Sequence, residues 1–172
     1  MRHRLPPATR AGRQQGAAAV EFALVALLFF TLLFAILEFG RLLYLYNTVQ
    51  EVSRRAAREA VVRWIDQTDT VKTLALFGGT ALPAAPEVTA ANITISYLNK
   101  SGAEVTLAPA DPGDNLSACG DITRTASCID SVRVSIDNVS YTPMVSLFGF
   151  LNIALPASVV VMHAESLGFQ IN

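Results

Sequence analysis

Few of the residues that build catalytic and metal centres occur in this sequence. Its 172 residues include only two histidines and two cysteines. His3 and His163 each stand alone, so neither a catalytic triad nor a metal cluster can be assembled from them. The sequence therefore predicts no catalytic site, no bound metal and no cofactor.

The spacing of the two cysteines also excludes common cysteine chemistry. Cys119 and Cys128 fit neither a CxxC redox motif nor a four-ligand zinc site. In an exported domain an even pair predicts a disulfide, which stabilises a loop this short by about 2–3 kcal/mol. Two free thiols are the alternative. The aspartates nearby lack the spacing of an EF-hand calcium loop, and turns favour aspartate in any case (Asp111, Asp114, Asp121).

The N-terminal part lacks acidic residues at its start and then lacks charged residues altogether over a long run. The first fifteen residues contain four arginines and no acidic residue (Arg2, Arg4, Arg10, Arg13). The run from Phe22 to Leu37 has no charged residue, and only Thr31 in it is polar. A helix over residues 17–40 would be about 36 Å long, which is enough to cross roughly 30 Å of hydrocarbon.

This pattern predicts a membrane anchor with its N-terminus inside. Residues 1–16 form a basic cytoplasmic leader under the positive-inside rule, and residues 17–40 form the transmembrane helix. A buried core helix, a cleaved secretory signal and an uncut signal anchor are the alternatives. From Asp66 to the end the chain has four basic and ten acidic residues, which argues against binding to nucleic acid.

The absence of proline from residue 8 to residue 82 predicts that the helix continues beyond the membrane. We expect this helical continuation over residues 41–66, followed by an extracytoplasmic domain over residues 67–172. Glu38 and Arg41 are three residues apart and would share a helix face, so we expect them to pair at the membrane boundary.

The distal domain combines helical and strand patterns. Gly78-Gly79 would end a short helix that begins near Thr68. Alternation of apolar and polar residues then predicts a hairpin of residues 93–98 with residues 105–107, a strand over residues 132–136 and a core strand over residues 159–162. We expect a loop or single helical turn around residues 147–151. A second membrane span over residues 143–162 is the alternative.

The start of the apolar segment resembles the processing site of type IV prepilin-like proteins. A basic leader is followed by Gly16 and, five residues later, by Glu21 inside the apolar segment. The resemblance implies that a membrane aspartic peptidase cuts between Gly16 and Ala17. It also implies that Glu21 pairs with the terminal ammonium of a neighbouring subunit. Alternatively, Glu21 only reaches to the membrane surface. The chain departs from many major pilins, whose mature form begins with an aromatic residue, whereas this one would begin with Ala17.

A longer pattern resembles the TadE-like minor pseudopilins of tight-adherence (Flp pilus) systems. It consists of Gly16, Val20-Glu21-Phe22 and Glu38-Phe39-Gly40-Arg41, followed by a helix rich in arginine and alanine. The resemblance implies an α+β, pilin-like fold: a long N-terminal transmembrane helix that continues into an extracytoplasmic helix packed on a small antiparallel sheet.

The resemblance also implies a function and a location. It predicts a structural subunit of the bacterial inner membrane that assembles with other pilin and pseudopilin subunits after cleavage by a prepilin peptidase. Two other classes of function stay open. One is an uncleaved single-pass scaffold or binding protein of a secretion apparatus, as in the TadG-like branch, and the other is an exported enzyme.

Overall fold

One long helix leads into a small α+β unit. The computed structural model describes residues 12–169, and side chains from residue 16 onward. Helix α1 runs over Gly12–Ala60 and is 49 residues long. The chain divides into two compact units, Met1–Gly40 and Arg41–Asn172, here called the N-terminal unit and the C-terminal unit. Both the absence of proline and the many leucines and alanines favour this length of helix.

In the described part of the N-terminal unit, α1 exposes apolar side chains on all sides. Phe22 and Leu28 are both 74 % exposed, and no residue of the most apolar 18-residue window is buried. The mean hydropathy of that window is 2.7, so the helix is long and apolar enough to cross a membrane. Phe30 stacks on Phe34 with 6.2 Å between the ring centroids. A helix that is apolar all round suits lipid better than water.

The C-terminal unit is built on the last part of α1. Here the buried side chains recur at helical spacing and form a stripe (Leu45, Val49, Val52, Ala56, Ala60). They share one hydrophobic core with the strands of the main sheet. The side chains of the stripe become small toward its end, which lets other elements approach the helix closely. The hydroxyl oxygens of Ser53 on α1 and Ser158 lie 2.8 Å apart.

The main sheet has three antiparallel strands, Ile93–Leu98 (β3), Ser131–Ile136 (β4) and Ser158–His163 (β7). Their order in the sheet is β3-β4-β7. Ile93 pairs with Ile136, and Ser131 pairs with His163. The central strand β4 buries Val132, Val134 and Ile136, as the alternating pattern predicts.

Two short strand pairs and two short helices complete the described part of the unit. Strands β1 (Ala81–Leu82) and β2 (Ala85–Thr89) pair with each other, as do β5 (Ser140–Tyr141) and β6 (Ile153–Ala154). The helices are α2 (Thr68–Ala75) and α3 (Pro112–Gly120). The α+β class predicted from the sequence is confirmed.

Helix α1 ends earlier than the expected residue 66. After Ala60 the chain turns, and residues 65–67 form a separate 3₁₀ turn. The carbonyl of Val61 accepts hydrogen bonds from the backbone N–H groups of Glu165 and Leu167, at 3.3 and 3.1 Å. A partner about a hundred residues away therefore takes the place of helical bonding, and no local pattern contains that information.

The expected hairpin of residues 93–98 with residues 105–107 is reduced to a tight turn. Asn99 N–H donates to Ala103 O at 2.8 Å, Val105 N–H donates to Tyr97 O at 2.9 Å, and a single bridge joins Leu98 to Glu104. On its other edge, β3 pairs with β4 over all six residues. Leu107 stays 75 % exposed, so a longer return strand would bury little apolar surface.

Other expectations agree with the structure. Helix α2 begins at Thr68 and is followed by left-handed backbone at Phe77 and Gly78 (φ 59° and 83°). A 3₁₀ turn over Ser146–Phe148 and strand β7 stand where a turn and a strand were predicted. Strand β7 lies at the edge of the sheet, however, and leaves Val159 and Val161 about half exposed.

The position of Tyr97 on β3 makes the stability of the folded chain depend on pH. Burial, with a smaller contribution from the charge of Asp66, raises the pKa of the Tyr97 phenol from 10 to about 12. The folded chain then holds this proton more tightly than the unfolded chain. We predict that the stabilising contribution is complete below pH 10 and is lost as the pH rises toward 12. In detergent, Tyr97→Phe should show a smaller fall in melting temperature over this range than the wild type.

The matched control for this measurement is Tyr46→Phe, which removes a phenol that is 43 % exposed. The control should lose melting temperature with pH as the wild type does. An alkaline loss of equal size in Tyr97→Phe and wild type would contradict the prediction.

Candidate functional site

Gly16 and Ala17, the residues of the expected cleavage site, lie on helix α1 and are exposed. A Cβ atom added to Gly16 would meet no atom within 4 Å among the described residues. Glycine destabilises a helix interior by about 1 kcal/mol relative to alanine. The described packing therefore gives no reason for glycine at this position.

Glu21 lies one helical turn beyond Ala17 and is also exposed. At 1.5 Å per residue the two are separated by about 6 Å along the helix axis. Among the described residues, no hydrogen bond or salt bridge is found for the Glu21 carboxylate. It is followed directly by the charge-free apolar run, where an uncompensated carboxylate is costly. Glu21 is thus available for a partner outside the described chain.

Arg41, the first residue of the C-terminal unit, lies at the centre of a cluster of polar contacts. Its guanidinium forms a salt bridge with Glu87 on β2, and the two side chains are 15 % and 14 % exposed. It also donates to the carbonyl of Thr142 at 2.8 Å and lies 5.0 Å from the ring centroid of Tyr141 on β5. One side chain thus joins α1 to two segments that are distant in sequence.

The electrostatics of this cluster favour the charged arginine. Burial alone would lower the pKa of Arg41, but the hydrogen bonds and charges of Glu87 and Tyr141 together outweigh it and raise the pKa. The sequence predicted that Arg41 pairs with Glu38, and it did not predict the salt bridge with Glu87. That pairing with Glu38 stays a prediction. The one sign of this salt bridge in the sequence is that Glu87 is an acidic residue within a mostly apolar stretch.

Cys119 and Cys128 are joined in a disulfide with 4.7 Å between their Cα atoms. The bond links α3 to the segment that leads into β4. Next to it, the buried side chain of Asn115 accepts from Ile129 N–H at 2.8 Å and donates to Ile129 O at 3.3 Å. A covalent bond and two hydrogen bonds therefore hold α3 against the sheet.

The three aspartates around this disulfide serve the local backbone. Asp111 caps α3 by accepting from Asp114 N–H at 2.8 Å, and Asp121 accepts from Thr123 N–H at 2.8 Å. The N–H of Ala110 and the guanidinium of Arg124 lower the pKa of Asp114. Within residues 12–169, no group of three or more potential metal ligands is found. The signal for α3 was present in Asp111-Pro112, a capping residue followed by proline.

A groove runs along the edge strand β7, inside the C-terminal unit. It has a volume of about 330 Å³, and its walls are α1 and residues 155–160. The side chains that line it are mainly apolar or small, with Arg54 as the charged exception. Since no nucleophile and base converge there, the groove has the character of a packing surface.

The Arg41–Glu87 pair generates a stability prediction. Arg41→Met would leave the Glu87 carboxylate buried without its cation, and the loss of stability should be on the order of 3 kcal/mol. Arg41 Nε and Glu87 Oε2 are buried without hydrogen-bond partners in the described structure, so the pair itself only partly offsets its desolvation. The double variant Arg41→Met/Glu87→Met should therefore regain most of that loss in denaturant titrations.

The control for this cycle is the more solvent-accessible pair of Glu59 and Arg63, 2.7 Å apart on consecutive turns. Arg63→Met should cost below about 1 kcal/mol. Additive losses in the double variant of Arg41 and Glu87 would show that the pair is not energetically coupled, contrary to this prediction.

The N-terminal part of the chain is similar to a known protein family. The family model described as TadE-like protein matches residues 16–58, about a quarter of the sequence. No curated protein and no solved structure matches the chain. The match begins at Gly16, includes Glu21 and Arg41, and stops two residues before the end of α1. Over residues 16–58, the chain is therefore similar to the TadE-like family.

Proposed function

We propose that this chain is a minor pseudopilin: a structural subunit anchored in the membrane by residues 17–40 that takes part in assembling a Flp-type pilus. The TadE-like family is pilus-associated and structural. The observation that carries the proposal is the coincidence of the family match with Gly16 and Glu21. Both are exposed on α1. Glycine weakens a helix interior, and a carboxylate next to an apolar run is costly without a partner.

The proposed processing assigns a role to each of these residues. A prepilin peptidase cuts after Gly16, where the absence of a side chain gives the enzyme access to the backbone. The cut frees the ammonium of Ala17. In an assembled bundle, this ammonium pairs with Glu21 of an adjacent subunit and offsets the cost of its charge near the hydrocarbon.

The proposed orientation places the leader in the cytoplasm and the C-terminal unit outside the inner membrane. Four arginines without an acidic residue precede Gly16, and the positive-inside rule retains such a segment. The disulfide supports the same orientation, because an oxidising extracytoplasmic compartment preserves it.

Processing is tested by intact mass after co-expression with a prepilin peptidase. The wild type should lose Met1 to Gly16 and begin at Ala17, whereas Gly16→Leu should keep the full length. Gly12→Leu is the matched control: it adds the same side chain to a glycine four residues upstream, and it should still be cut. An uncut wild type in the presence of active peptidase would favour the uncleaved scaffold.

Assembly is tested by Glu21→Gln, which keeps the shape of the side chain and removes its charge. Membrane insertion should persist, because a neutral amide is less costly near lipid. Crosslinking to other pilin subunits should fall several-fold, because an ion pair that sets the register between subunits is lost. Thr31→Val removes the polar group of the apolar run and serves as the control, with crosslinking unchanged. Normal crosslinking of Glu21→Gln would mean that the carboxylate only reaches to the membrane surface.

A further inference from the structure

The loop between β5 and β6 exposes an unusual number of large apolar side chains. This apolar loop, residues 142–152, includes Met144 and Phe150, which are 78 % and 79 % exposed. Leu147 and Leu151 are exposed as well, at 54 % and 40 %. Proteins rarely present such a contiguous apolar surface to water unless it contacts a partner or a membrane.

The apolar loop has a defined conformation. Its base is closed by the pairing of Tyr141 with Ile153. Inside it, a 3₁₀ turn spans Ser146–Phe148, and Leu151 N–H donates to Phe148 O at 2.8 Å. These backbone bonds hold the apolar side chains outward, so their exposure is built into the local structure.

The sequence around the apolar loop is free of charge. No aspartate, glutamate, lysine or arginine occurs between Asp137 and Glu165. A protein surface that stays in water normally alternates apolar with charged residues. A charge-free stretch of this length carries no charge that would have to be desolvated on contact with lipid.

The position of the apolar loop follows from Arg41. This residue donates to the carbonyl of Thr142, the first residue of the loop, and lies against the ring of Tyr141 at its base. Arg41 follows Gly40 directly in the chain, at the end of the segment that is apolar enough to span a membrane. Covalent connection therefore keeps the base of the loop close to the point where the chain leaves the hydrocarbon.

We propose that the apolar loop inserts into the lipid interface beside the anchor and forms a second, monotopic membrane contact. Phe150 and Met144, at its most exposed positions, enter the boundary between headgroups and acyl chains, where apolar side chains gain by leaving water. The contact limits rotation and tilt of the C-terminal unit relative to the membrane. The inference rests on the anchoring of residues 17–40 and does not require cleavage after Gly16 or pairing by Glu21.

The experiment reads the depth of a tryptophan in the full chain, reconstituted into phosphatidylcholine vesicles with bromine on the acyl chains near the headgroup. Phe150→Trp is the reporter, and Leu147→Trp is a second reporter in the same loop. Ile122→Trp is the matched control, because Ile122 is 89 % exposed in the C-terminal unit but lies in the loop closed by the disulfide. The signal of the native Trp64 is subtracted with the wild type.

Both loop reporters should lose fluorescence about twofold in brominated relative to plain lipid, with blue-shifted emission, while Ile122→Trp is unaffected. Phe30→Trp lies near the middle of the anchor, so it should be quenched in parallel vesicles with bromine near the ends of the acyl chains. Quenching at Phe30→Trp without quenching at either loop position would overturn the loop contact and leave the anchoring intact. A blue shift without quenching would also overturn it, because protein, such as a second copy, would then cover the loop. No quenching at Phe30→Trp would overturn the anchoring and the loop contact together.

Discussion

The polar contacts of Arg41 link the last part of α1 to two distant segments of the C-terminal unit. Arg41 stands at the first position of this unit, so every long-range contact it makes fixes a segment close to the end of the anchor. It holds β2 through Glu87 and the β5–β6 pair through Thr142 and Tyr141. A planar guanidinium can serve these partners at once, which the point charge of a lysine could not do.

Patterns of period 3.6 and period 2 were sufficient to predict the elements built from local repetition. The alternation in β4 and the strand at residues 158–163 follow from which positions are apolar. The long helix was predictable from an absence, because no proline interrupts it. The α+β class follows from these elements, since a helix and a sheet that each have one apolar face bury them against each other.

What the sequence did not predict depends on contacts between distant residues. Glu87 is 46 positions from Arg41, and Thr142 is 101 positions away, so helical spacing could suggest only a neighbour such as Glu38. The main partner of β3 was missed for the same reason, because β4 begins more than thirty positions after β3 ends. The end of α1 depends likewise on Val61 O accepting from Glu165 and Leu167.

The two units differ in how the unfavourable features of their sequences are compensated. In the C-terminal unit, a buried charge has its counter-ion and the cysteines have each other. In the described part of the N-terminal unit, Gly16, Glu21 and the exposed apolar rings have no such compensation within the chain. Features that cost stability in a lone chain persist when something outside it gains from them. Under the proposed function, lipid, a peptidase and neighbouring subunits are the surroundings that would supply this compensation.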